Sequence, residues 1–204
     1  IVALSDNPDV DFESVIGQPM TFTARQGVEA VDVRTWTGIC SHVEQLGAEE
    51  RGLSIYKLVL VPALWLLTQR RNHRMFQLAS EVDIARKLLG EWGIPTIENL
   101  SGTYKKRKYR VQYGESDHTF LSRMLEDAGI SYYFRTEGGE TKLVLHDAPQ
   151  DNPTREPAIP FIDAPMVEKD MELVTEVHVG QRTRPGKYTI FDHDYRRPAS
   201  YKLM

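Results

Sequence analysis

The apolar positions in the middle of the chain recur with a helical period in two segments of the same layout. In each segment a serine, Ser80 or Ser116, precedes an acidic residue, and a glycine, Gly93 or Gly129, follows the last apolar position. Serine is a favoured N-cap, an acid in the first turn complements the helix dipole, and glycine adopts the left-handed conformation that ends helices. The spacing predicts two short helices with these apolar stripes: Ile84, Ala85, Leu88, Leu89 and Trp92, then Phe120, Leu121, Met124, Leu125 and Ala128.

Much of the remaining chain alternates between apolar and polar residues, which predicts strands. Pro62 is expected to end one of them because proline cannot donate to a β-ladder. Gly138 and Gly139 are typical of a hairpin turn, and the aromatic residues before them are expected to form core against a helix. The predicted strands are 20–24, 36–43, 55–61, 109–113, 131–135, 142–146, 173–179 and 188–191.

Helices flanked by strand-rich ends indicate a domain inserted into a sheet. The predicted fold class is α+β and strand-dominated, with an antiparallel β-barrel-like domain and an inserted small α/β subdomain. Five of the eleven prolines lie between 149 and 165, which indicates a crossing loop. The expected divisions are an incomplete first barrel at 1–76, the inserted subdomain at 77–147, the Pro-rich loop at 148–166, and strands at 167–204 that return to the barrel and lead to the next domain.

Composition narrows the class of protein. The 204 residues are 41% hydrophobic and carry a formal net charge of −4, which argues against bulk nucleic acid or an anionic membrane as the main partner. Cys40 is the only cysteine, so no intrachain disulfide forms, and its place in an alternating run predicts a buried small apolar residue.

The longest apolar run, 58–67, is half a membrane span, which predicts no stable membrane insertion. The chain begins at Ile1 with no signal-like segment and is expected to be a piece of a longer protein.

Histidine and aspartate come together in two places, His146–Asp147 and Asp192–His193–Asp194. Both follow predicted strands into turns, where these residues commonly form local hydrogen bonds. The six histidines show no metal-ligand spacing, and no nucleophile elbow, phosphate loop or dinucleotide fingerprint occurs. The sequence therefore predicts no catalytic, cofactor-binding or metal site. A hydrolase that uses Asp147, His193 and Asp194 is the enzymatic alternative.

One basic run stands out, Lys105-Lys106-Arg107-Lys108-Tyr109-Arg110. Basic residues interleaved with aromatics could bind phosphates and stack bases, which makes a nucleic-acid binder a further alternative. The favoured interpretation is a strand with Tyr109, Val111 and Tyr113 facing inward and the charges in water. We expect no nucleic-acid partner.

Several motifs resemble the VgrG family in residue identity, order and spacing along nearly the whole chain. The strongest is Tyr109-Arg110-Val111-Gln112-Tyr113-Gly114-Glu115-Ser116-Asp117, followed by matches at 120–121, 125–126, 129–130 and 132–134. Further matches lie at 61–67, 74–77, 83–84, 88–94, 143–149, 192–195 and 197–198. The fold that this resemblance implies is a phage baseplate hub-like domain at the tip of the type VI secretion spike.

The resemblance also implies partners and a mechanical role. VgrG-like subunits form a homotrimer whose paired barrel domains make a pseudo-sixfold ring, and the ring docks on the hexameric tube protein Hcp. The full-length protein carries effectors or a spike cap, assembles in the bacterial cytoplasm, and is secreted or injected into target cells. The family module brings no catalytic residues. The chain is expected to start after the family's first strands and to end before the second barrel is complete, and a hub of a contractile phage or related injection machine is the structural alternative.

Overall fold

The computed structural model describes residues 1–26, 32–48, 52–163, 173–187, 189 and 196–197. By their contacts these residues form two compact units, one holding 1–158 and the other the described residues from 159 onward. The first unit has strands and helices in this order: β1 Val2–Ser5, β2 Pro19–Gln26, β3 Asp32–Ala48, β4 Ser54–Val61, a 3-10 helix Ala63–Thr68, β5 Arg71–Ala79, α1 Glu81–Glu91, β6 Thr96–Asn99, β7 Arg107–Ser116, α2 Asp117–Asp127, β8 Ser131–Glu137, β9 Glu140–His146 and a 3-10 turn Pro149–Asp151.

The first four strands form one antiparallel sheet in the order β1-β4-β3-β2, curled into a half-barrel. Phe22 lies opposite Trp36 across β2 and β3, and their rings stack with centroids 5.6 Å apart. Gly38 lets β3 approach β4 closely, since a Cβ on it would come 2.1 Å from the Val61 carbonyl oxygen. Two register shifts in β3, one of them after Cys40, add to the curl.

The helices α1 and α2 pack on one face of a two-stranded antiparallel sheet of β5 and β7. The Ser80 hydroxyl accepts from the Asp83 amide, and the Asp83 carboxylate accepts from the Ser80 amide, so α1 begins with a complete capping box. The Ser116 hydroxyl caps α2 in the same way by accepting from the Thr119 amide. Both helices therefore begin where the sequence predicts.

The third sheet has the order β6-β9-β8, with β6 parallel to β9 and β8 antiparallel to it. The hairpin turn at Gly138 and Gly139 has positive φ at both residues, as a tight two-residue turn requires. This hairpin touches the first sheet through Thr37 and Thr141, whose backbone amides each donate to the other's hydroxyl at 2.9 and 2.7 Å.

One hydrophobic core joins the helices to the sheets around them. All but two of the ten stripe residues are fully buried in it, and Trp92 and Ala128 pack at its edge. Phe76 of β5 stacks on Phe120 of α2 with centroids 5.6 Å apart. The buried members are Leu64, Leu67, Phe76, Val82, Ile84, Ala85, Leu88, Leu89, Ile94, Phe120, Leu121, Met124, Leu125, Ile130, Leu143 and Leu145.

The sheets and helices confirm the predicted α+β, strand-dominated class, while two local predictions need correction. Tyr132 and Phe134 were expected in the core, but both are more than a third exposed, Tyr132 at the edge of α2 and Phe134 in an open groove beside the first sheet. The strand predicted at 173–179 is absent from the described chain, where one parallel bridge joins Val174 to Phe161. Val177 and Val179 lie in solvent with no layer to cover them.

Two further predictions are not decided. The strand predicted at 188–191 lies mostly outside the described residues. The domain division at 76/77 falls inside β5, whose partner β7 lies beyond the division, and it stays a prediction.

Candidate functional site

His146 is the last residue of β9, and Asp147, which follows it, anchors the neighbouring loop. Its carboxylate accepts hydrogen bonds from the amides of Ser101 and Gly102, at 2.8 and 2.6 Å, and from the Tyr104 hydroxyl at 2.8 Å. These bonds, led by that from Gly102, lower the pKa of Asp147 to about 2. Burial, followed by the bond to Asp147, raises the pKa of Tyr104 to about 12. Asp147 is thus a charged, fully engaged acceptor that joins a loop to a strand.

The other residues considered for catalysis or metal binding are not brought next to Asp147 by any contact of the described residues. Asp192, His193 and Asp194 lie outside the described residues. Cys40 is buried, as the alternation predicts, and its thiol lies 3.4 Å from the His42 carbonyl oxygen. In the described part of the chain no group of three or more His, Cys, Asp or Glu side chains is placed to hold a metal ion. No helix in that part is long and apolar enough to cross a membrane.

The basic run enters β7 with the opposite orientation to the one predicted. Tyr109 and Tyr113 are 64% and 80% exposed, while Gln112 is buried and Arg110 is half-buried on the helix side. The prediction that Tyr109, Val111 and Tyr113 face inward is wrong. The physical reason is that two buried carboxylates beneath β7 require hydrogen-bond donors, and Arg110 and Gln112 supply them.

The first of these carboxylates is Glu81, the opening residue of α1. It accepts from Arg107 at 3.0 Å and from Arg110 at 2.7 Å, and Arg110 also pairs with Asp127 of α2. Burial by itself would raise the pKa of Glu81, but the hydrogen bonds from Arg110 and Arg107 lower it below its ordinary value. One arginine therefore ties β7 to both helices.

The second is Asp117, the opening residue of α2, which is completely buried. It accepts from Arg70 at 2.6 Å, from Gln112 at 2.8 Å and from the Trp92 indole at 3.2 Å. Burial again acts to raise the pKa of Asp117, and these donors together bring it below its ordinary value. Arg70 continues to Glu91 at the end of α1, so the cluster holds α1, α2, β5 and β7 together.

The side of β5 and β7 that faces away from the helices carries a mainly apolar surface, which we call the outer face. It consists of His73, Met75, Tyr109, Val111 and Tyr113, with the polar Gln77 opposite Tyr109 at one end. The register places His73 opposite Tyr113 and Met75 opposite Val111, and the His73 and Tyr113 rings meet edge to face at 5.1 Å. Met75 is 62% exposed, so this face presents large side chains to solvent.

A second exposed apolar region is an open groove of about 550 Å³ beside the first sheet. The stacked Phe22 and Trp36 form one wall and Phe134 of β8 faces them. Its apolar and aromatic lining suits packing against a partner's side chains, with few polar groups to orient a reacting molecule. The principal lining residues are Ile1, Phe22, Trp36, Leu58, Leu60, Pro62 and Phe134.

The features of this region that the sequence did not predict are two exposed apolar surfaces, the outer face and the groove. The predicted alternation at 109–113 indicated that β7 has two faces, but it did not tell which face the helices cover. The pairing of Glu81 and Asp117 with arginines identifies the covered face. The acid at the first position of each predicted helix was the available clue, since a buried acid requires donors.

Comparison with known proteins gives matches along the whole chain. A model of the phage tail baseplate hub (GPD) family matches residues 1–203. The type VI secretion system spike protein VgrG1c of Pseudomonas aeruginosa is 30% identical over 200 residues, which is 97% of this chain and 27% of VgrG1c. The spike protein VgrG2b of the same organism is 30% identical over 197 residues, or 95% of this chain and 19% of VgrG2b. The chain spans less than a third of the length of these relatives.

A solved structure gives the same result for the fold. It is that of the Escherichia coli c3393 protein, a component of the type VI secretion system with structural similarity to the T4 bacteriophage tail proteins gp27 and gp5. It matches with a TM-score of 0.67 and 26% identity, covering 79% of this chain and 44% of that chain. The resemblance to spike proteins is therefore confirmed, and the chain belongs to the phage tail baseplate hub (GPD) family.

Proposed function

We propose that this chain is the hub segment of the puncturing spike of a type VI secretion system. Three copies form a ring that adapts a hexameric tube protein to a trimeric spike, and the assembly delivers effectors. The observation that carries this proposal is the match to spike proteins over 97% of the chain, supported by the fold shared with c3393. The role is mechanical, and the hub carries load rather than catalysing a reaction.

Unpaired sheet edges support assembly into a ring. In the described residues the first sheet ends in β1 and β2, and the two-stranded sheet of β5 and β7 has no third strand on either side. Exposed edges with free amide and carbonyl groups favour pairing with other strands. Neighbouring subunits in a closed ring supply such pairing without leading to open-ended aggregation.

The polar clusters support a mechanical role over a catalytic one. Asp147, Glu81 and Asp117 each accept several hydrogen bonds from parts of the fold other than their own: a loop, β7, and three separate segments respectively. Groups used in this way connect strands, helices and a loop into a stiff body. Such connections suit a part that transmits force.

The same proposal implies where the protein assembles and where it is transported. The hub assembles with its tube in the bacterial cytoplasm and leaves the cell with the spike when the machine contracts. Its partners are two further copies of itself, the hexameric tube protein, and the effectors or spike cap carried by the full-length protein.

A hub of a contractile phage or related injection machine is the second candidate, because the matching family model describes phage tail baseplate hubs. The two candidates differ in the tube that the ring binds. Size-exclusion chromatography with light scattering, with the chain mixed in turn with a type VI tube hexamer and a phage tail-tube protein, separates them. A complex with the type VI hexamer supports the proposal. Binding to the phage tube alone would assign the chain to the second candidate.

A further inference from the structure

We propose that the outer face of β5 and β7 receives the acidic segment 6–13 of a second copy of this chain. The inference rests on the proposed trimer and specifies two surfaces that meet in it. We call 6–13 the acidic loop and the exposed lysines Lys105, Lys106 and Lys108 the basic rim. The contact is head to tail, with a different surface on each copy.

The first support is the uncovered outer face. The helices pack on the opposite side of β5 and β7, and no helix or strand of the described first unit covers Met75, Tyr109 or Tyr113. An exposed apolar patch of this kind marks an interaction site more often than a free surface. Tyrosine and methionine are also among the residues enriched in protein interfaces.

The second support is strain next to that face. Leu78 of β5 has φ +52°, a backbone conformation that costs free energy for a residue with a Cβ. The same residue is 71% exposed, so the strain holds an apolar side chain in water. Strained residues persist where the surrounding structure determines them and are concentrated at functional sites. In the register Leu78 falls opposite Lys108, so an exposed apolar side chain lies beside the basic rim at the start of β7.

The third support is that two lysines of the basic rim carry a positive charge without an ion-pair partner in the described chain. Arg107 and Arg110 pair with Glu81, whereas Lys105 and Lys108 form no ion pair with any carboxylate in the described chain. Both lysines are exposed although the whole chain has a net charge of −4. They are available to an external acidic group at the start of β7, where Lys108 directly precedes Tyr109 of the outer face along the strand.

The fourth support is the acidic loop, whose composition complements that surface. Asp6, Asp9, Asp11 and Glu13 are exposed and form no ion pair within the described residues, and Phe12 is 38% exposed among them. The loop is already ordered, because the Asp9 amide donates to the Asn7 side chain at 3.0 Å and the Tyr56 hydroxyl donates to the Asn7 carbonyl at 3.0 Å. An ordered loop loses little conformational entropy when it binds.

These two surfaces do not meet within one copy. The acidic loop is held against β3 and β4 by Gln45 and Tyr56, and no described hydrogen bond or ion pair joins it to β5 or β7. Their complementarity is therefore available only between copies. A contact between unlike surfaces closes into a ring when its rotation fits, as a trimer requires.

Charge exchange tests the contact. The variants are Lys105→Glu/Lys108→Glu, Asp6→Lys/Asp9→Lys, and the combination of all four changes, none of which alters a side-chain hydrogen bond or ion pair in the described structure. In sedimentation equilibrium at low salt, each pair should weaken self-association about tenfold, and the combination should recover to within about threefold of the unaltered chain. Arg184→Glu/Lys187→Glu is the matched control for the lysine pair and should leave association unchanged. Circular dichroism verifies that each variant folds.

The outcomes separate this inference from the proposed function. A chain that forms trimers unaffected by either charge pair retains the proposed function and overturns the inference. A chain that stays monomeric under all conditions overturns both. If Lys105→Glu/Lys108→Glu abolishes binding to a single-stranded oligonucleotide without changing self-association, the basic rim is a nucleic-acid site and the inference is wrong.

Discussion

Glu81 and Asp117 occupy equivalent positions, each the first residue of a helix, and each is buried beneath β7. A carboxylate there faces the positive end of the helix dipole, but burial carries a penalty that only close donors offset. Arginine side chains supply them in both cases, Arg110 of β7 for Glu81 and Arg70, which immediately precedes β5, for Asp117. The two helices are thus fixed to the sheet by the same device, which also forces the tyrosines of β7 outward.

At Gly38 the fold depends on a missing side chain. Gly38→Ala places a Cβ against the Val61 carbonyl, and because backbone cannot move as a flexible side chain can, the strands must separate. We expect a loss of about 1–3 kcal/mol in the free energy of unfolding, measured by urea denaturation. Gly47→Ala in the same strand is the control, since a Cβ there meets nothing within 4 Å. An equal loss in both variants would contradict the account.

At Glu91 the fold is sensitive to acid. Hydrogen bonds from Arg74, with those from Arg70, lower the pKa of Glu91 from 4.5 to about 2. A carboxyl whose pKa is lower in the folded state contributes stability above its unfolded pKa and loses it as the pH falls toward the folded value. Between about pH 6 and about pH 3 the free energy of unfolding should fall, and Glu91→Gln should make that fall smaller. Glu126→Gln is the control and should leave it unchanged.

The sequence predicted individual residues well where local chemistry decides. Ser80, Ser116, Gly93 and Gly129 begin and end the helices as expected, because caps and left-handed turns depend on nearest neighbours. The orientation of Tyr109 could not be predicted in this way. It depends on which face of β7 the helices cover, and that is set by residues far away in the chain.

At the scale of the elements, α1 and α2 repeat one pattern of cap, buried acid and apolar stripe. Six of the strands, β2, β3, β4, β7, β8 and β9, lie where the alternation predicts them. The strands β1, β5 and β6 were not predicted, and each exists through pairing with a distant strand, β4, β7 and β9 respectively. The segment 173–179 shows the opposite case. A strand was predicted there from the alternation, but no neighbouring strand pairs along it in the described chain.

The cap of α1 gives a prediction at this scale. Ser80→Ala removes the hydroxyl that accepts from Asp83 and opens one half of the capping box. The free energy of unfolding should fall by about 1 kcal/mol, with a matching fall in the thermal midpoint. Ser131→Ala, at the exposed start of β8, is the comparison and should change stability by less than about 0.5 kcal/mol. Equal effects would show that the cap does not stabilise α1.

At the scale of the molecule, the described strands of the first unit leave sheet edges unpaired, and two apolar surfaces of this unit are exposed. The ion pair of Arg110 with the buried Glu81 joins β7 to α1, and the reciprocal bonds of Thr37 and Thr141 join the hairpin to the first sheet. Family membership could be predicted from sequence because the motifs are local and ordered. The two exposed apolar surfaces could not be predicted, because they form only when distant strands pair.

The most direct measurement is the mass of this chain in solution by light scattering after size exclusion, alone and with the type VI tube hexamer. The account predicts a mass of three chains at high concentration and a further shift to a larger complex when the tube protein is added. A chain that remains a monomer at every concentration and leaves the tube hexamer unchanged would contradict the claim that this segment forms the adapter ring.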